Sequence, residues 1–126
     1  FANEIGADLL IGIRTGADQS NEKVFGIQTF YNDTYFIPYF GNIRLADLLE
    51  RNVVTAAGGK ANGLFAMSED DVLLQNAQMP AAAVEIGYLT NAEETQKLSL
   101  PEYKDRLAEG IASAIKEAFA EMEINS

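Results

Sequence analysis

The sequence predicts an α/β domain built on a largely parallel sheet. Three observations carry that expectation. Two short apolar runs, residues 9–13 and 80–86, are bounded by polar residues, as strands covered on both faces are. Two longer stretches, residues 43–57 and 101–122, carry apolar side chains at i, i+3 and i+4 spacing, the stripe of an amphipathic helix. The two kinds of segment alternate along the chain instead of being grouped.

Taken in order, residues 1–7 read as the end of a helix closed by Gly6. Residues 9–13 form the first buried strand, which runs out into Arg14-Thr15-Gly16-Ala17-Asp18 and a polar loop to Lys23. Residues 24–31 are a second strand, rich in Val, Ile, Thr, Phe and Tyr, and Asn32-Asp33 is turn chemistry. Residues 35–40 hold four aromatic side chains around Pro38, which excludes a central strand and leaves an edge strand or a loop whose rings cover the next helix. That helix spans 43–57 and ends at Gly58-Gly59. After the loop 60–63, residues 64–67 read as a brief turn of structure. Ser68-Glu69-Asp70-Asp71 reads as a solvated acidic turn, since it lacks the spaced ligands and internal Gly of a calcium loop. Residues 72–75 read as a short strand and 76–78 as a turn.

The stretch 79–91 organises the rest. Every residue from Pro80 to Ile86 is apolar except Glu85. A carboxylate at the carboxyl end of a buried strand is costly unless it is paired, ligated or open to a cleft. That end of an α/β sheet is also where ligands bind. Two readings of Glu85 follow from position alone: a functional acid, or a partner for a neighbouring Lys or Arg. Gly87 frees the turn, and Asn91 with Glu94 reads as a helix cap with its reciprocal glutamate. A short helix then runs to about Leu98, and Pro101 opens the last one.

Composition narrows the function classes. The 126 residues suffice for one domain with a real core, and 48% hydrophobic content argues against disorder. A net charge of −10 disfavours nucleic acid and anionic membranes as partners, because both need a basic face. No apolar run approaches the roughly 20 residues that span a bilayer. There is no cysteine and no histidine. Absent histidine excludes the commonest general base, the commonest transition-metal ligand and any Ser-His or Cys-His pair. The start at Phe1, already helix-like, predicts that further sequence lies upstream.

Several segments together resemble one family, the zinc-dependent N-acetylmuramoyl-L-alanine amidases, which cut the amide between peptidoglycan glycan and stem peptide. Residues 79–94, with Glu85 followed by Gly87-Tyr88-Leu89-Thr90-Asn91, resemble the family's strand with its catalytic glutamate and the turn after it. Residues 2–13 resemble the stretch that leads into a zinc-binding histidine, Gly26-Ile27-Gln28-Thr29-Phe30-Tyr31 the strand after it, and 103–115 the closing helix. The resemblance implies a three-layer α/β/α domain over residues 1–126, lacking the family's amino-terminal strand and helix. It implies extracytoplasmic location, in the cell envelope or secreted, and peptidoglycan or a muropeptide as partner.

It also implies one zinc held by two histidines and a glutamate, with Glu85 at the general acid/base position. Two of those ligands would lie in the amino-terminal part, and the second histidine falls at Arg14. A guanidinium stays protonated and has no lone pair for a metal. Hence no cofactor is expected for this chain, and no hydrolysis by the family mechanism. A binding or structural role at peptidoglycan is the first reading; a fragment of an active zinc amidase is the alternative. Arg14, the candidate binding residue, is expected to form an ion pair with Glu85 in the metal's place. An unpaired sheet edge, if the upstream strand is absent, predicts a dimer, a swapped strand or low stability.

Overall fold

The computed structural model describes residues 1–125. The elements are α1 (Ala2–Ile5), β1 (Leu10–Gly16), β2 (Ile27–Tyr31), α2 (Asn42–Ala57), β3 (Ala61–Ala66), α3 (Val72–Gln75), β4 (Ala81–Tyr88), α4 (Ala92–Leu98) and α5 (Pro101–Asn125). The sheet order is β1-β4-β2-β3. β1 pairs with β4 and β2 with β3 in parallel, while β2 and β4 are antiparallel. The α/β class and the largely parallel sheet are as the sequence predicts.

Strand alternation sorts β4 between two cores. Ala82 and Val84 face α2 and α5, where they join Leu45, Leu49, Val53, Leu107 and Ala114. Ala81 and Ala83 face the other way, against Met67, Leu74, Ala77 and Met79. Gly110 lets α5 lie directly on α2: a Cβ there would stand 2.7 Å from Val53 Cα and 2.8 Å from Asn52 O. Among the described residues the second face carries the short helices α1 and α3, and this third layer stops partway along the sheet. Glu85 continues the parity of Ala81 and Ala83 onto the part of that face left open.

Three local expectations are corrected. Residues 72–75 are helix, not strand, because the Asp71 side chain accepts the Leu74 N–H and caps the turn. Residues 64–67 are not a brief turn: Leu64 to Ala66 belong to β3, paired with Thr29 to Tyr31. The second strand begins at Ile27 rather than residue 24, where the Ile27 N–H first meets Lys60 O. The aromatic segment is a loop joining β2 to α2, with Phe40 buried in the main core and Phe36 68% exposed.

Candidate functional site

At the open end of the sheet three residues stand in one row on adjacent strands. Arg14 of β1 is the register partner of Glu85 of β4, and Glu85 of Gln28 of β2. All three lie on the face that α3 leaves uncovered. Gln28 Nε2 donates to Glu85 Oε1 at 2.6 Å, and Asn62 Nδ2 donates to Gln28 Oε1 at 2.9 Å. Asn62 also donates to Phe25 O at 2.9 Å. A relay across β3, β2 and β4 therefore fixes the direction of the Glu85 carboxylate. Gly16 makes room for it, since a Cβ there would come within 2.8 Å of Glu85 Oε1.

Arg14 does not pair with Glu85. Its Nη2 donates to Asp71 Oδ2 at 2.8 Å, and its guanidinium lies 5.8 Å from the centre of the Phe30 ring. The physical reason is competition for partners. Asp71 is held in place by capping α3 and is almost wholly buried, so its charge needs a cation. Glu85 takes its hydrogen bond from Gln28 instead. Charge-assisted pairing with Asp71 thus outweighs register proximity to Glu85.

The turn after β4 is built around a second carboxylate. Asn91 caps α4 as its spacing predicts, accepting the Glu94 N–H at 3.1 Å. Glu94, however, does not return to the cap. Its Oε1 accepts the Gly26 N–H at 2.7 Å and the Tyr88 N–H at 3.2 Å, and the residue is only 6% exposed. The two amides supply the donors that a buried carboxylate requires. Sequence spacing concealed this role, because Gly26 lies 68 residues away. Burial, and next the negative charge of Glu85, push the Tyr88 phenol above its ordinary pKa.

Gly16, Gln28, Asn62 and Glu85 line a groove of about 970 Å³. Phe25, Phe65 and Tyr88 line it, and so do Lys23 and Lys60. Among the described residues no group of three His, Cys, Asp or Glu side chains is placed to hold a metal ion. Arg14, which lacks a metal-donating lone pair, is already engaged with Asp71. The residues present do not fit the zinc centre that the resemblance implies.

Comparison with known proteins agrees with this architecture. A family model described as N-acetylmuramoyl-L-alanine amidase matches residues 1–117. The N-acetylmuramoyl-L-alanine amidase CwlM of Mycobacterium tuberculosis is 32% identical, over 94% of this chain and 29% of its own length. The germination-specific N-acetylmuramoyl-L-alanine amidase of Bacillus subtilis is 31% identical, over 94% of this chain and 48% of its own. The solved N-acetylmuramoyl-L-alanine amidase of Clostridium difficile 630 superposes with a TM-score of 0.82 at 28% identity, covering 94% of this chain and 61% of that one. The chain therefore spans less than two thirds of these relatives. On the match over residues 1–117, the chain belongs to the N-acetylmuramoyl-L-alanine amidase family.

Proposed function

We propose that this domain binds peptidoglycan stem fragments in the groove over Glu85, at the cell envelope, without cleaving them by zinc chemistry. The observation that carries the reading is the Arg14–Asp71 pair beside Glu85. A positive charge with no lone pair stands where the family resemblance puts a metal ligand, and it has a committed partner. Glu85 keeps the family's general acid/base position, oriented by Gln28. Water bound to zinc titrates near pH 7, against about 15.7 in bulk, a difference of almost 9 units. At about 1.36 kcal/mol per unit that is roughly 12 kcal/mol of proton-transfer driving force, which one carboxylate does not replace. Among the described residues no helix is long and apolar enough to cross a membrane.

The test joins elemental analysis of the full-length protein to muropeptide binding and hydrolysis assays. Binding without stoichiometric zinc and without new amine is the expected result. One tightly held zinc per chain together with amide cleavage would favour the alternative, a fragment of an active amidase.

Where residues 1–126 stand alone, we also infer that a second copy covers the free edge of β1. Leu10 N–H donates to Pro80 O and Gly16 O accepts from Leu89 N–H, so the even-numbered residues of β1 face β4. Alternation along the parallel ladder then turns the backbone of Ile11 and Ile13 outward. Ile13 is 58% exposed at this edge.

A further inference from the structure

The groove carries a cation that the sheet-row residues do not use. Lys60 stands just ahead of β3, its carbonyl bound to the Ile27 N–H, and its Nζ lies 4.7 Å from the centre of the Phe25 ring. The ion pairs recorded among the described residues engage Arg14, Arg44 and Arg51, and Lys60 belongs to none of them. Lys23 borders the same groove but also an adjoining depression that it shares with Glu22 and Glu93. In a chain with 19 acidic and nine basic residues, a lysine held over an aromatic face and in none of those ion pairs is an anion anchor.

Sheet geometry sets its distance from Glu85. Gln28 is the register partner of both Glu85 and Gly63, so β4, β2 and β3 are three successive strands. Two strand spacings of about 4.8 Å and roughly two residues of about 3.3 Å separate the backbones of Glu85 and Lys60 by about 12 Å. An extended peptide covers that length in about three residues. Phe25 and Phe65 line the same groove and offer apolar faces to such a chain.

Resting on the binding reading above, we propose that Lys60 is a specificity-determining residue that anchors a free carboxylate. The occupant is an N-acylated peptide whose uncharged amide end lies over Glu85 and whose carboxylate lies about three residues away. The negative charge of Glu85 opposes the reverse orientation, which would bring two carboxylates together.

The test uses the whole protein and N-acetylated tripeptides carrying either a free or an amidated carboxyl terminus, with affinities measured by calorimetry. The free acid is expected to bind about fivefold tighter than the amide, the scale of a partly exposed ion pair. Lys60→Gln should abolish that preference and Lys60→Arg should retain it. Equal affinity of acid and amide in the unchanged protein overturns the anchor and leaves the binding reading standing. A preference that survives Lys60→Gln also overturns it. Failure of both peptides to bind overturns the anchor and the binding reading together.

Discussion

Arg14 faces two carboxylates and bonds to one. The partner it takes, Asp71, has a side chain only 6% exposed and also caps α3, so the pair fastens the end of β1 to the start of α3. Arg14→Ala would leave the Asp71 charge without its cation. A loss of about 1–3 kcal/mol is expected, below the figure for a fully buried pair because the guanidinium remains partly exposed. Urea denaturation measures it, and Asp71→Ala in the same background should add little if the two act as one unit. Peptide binding should survive both changes, since neither residue holds the Glu85 carboxylate. Glu85 itself was legible in the sequence as the single acid in an apolar strand. Its partners were not, because Gln28 is 57 residues away and nothing local points to it.

Among the elements, α2 carries an acid that the sheet must accommodate. Glu50 is buried beneath β2 and β3, accepting from the Thr29 hydroxyl at 2.9 Å and the Gly63 N–H at 3.1 Å. Burial pushes its carboxyl above the ordinary pKa, despite those donors. Because the native pKa is raised, the stability linked to this group is fully present below the unfolded pKa. It is lost as pH rises through the native one. Relative to Glu50→Gln, the unchanged protein should therefore lose stability between about pH 4 and about pH 8, a range that spans the ordinary carboxyl pKa. Parallel denaturation curves at the two pH values would reveal this; a difference independent of pH would contradict it. Long elements were readable from their period, as α2 and α5 show. The four residues of α3 were not, since Val72-Leu73-Leu74-Gln75 fits a strand as well as a helical turn, and only the Asp71 cap separates them.

For the whole molecule, the sheet has one face closed by α2 and α5 and the other closed only in part. That asymmetry makes the groove, and the order β1-β4-β2-β3 leaves β1 at an edge. For residues 1–126 taken alone, the exposed edge predicts a concentration-dependent dimer, detectable by light scattering behind a sizing column. Ile13→Lys should return it to monomer while the circular dichroism spectrum stays unchanged, because a charge at a strand edge blocks edge-to-edge pairing. A monomer at every concentration would remove this assembly. The α/β architecture was predictable from alternation of period alone. The antiparallel pairing of β2 with β4 was not, because strand order is set by packing between segments far apart in the chain.

The Glu94 carboxylate binds backbone amides on both sides of the groove, Gly26 before β2 and Tyr88 at the end of β4. Mechanically this is a crossbar. The Phe25 wall and the Tyr88 wall are thereby tied through one charge-assisted link. A ligand entering between them therefore meets a width set in advance by that link.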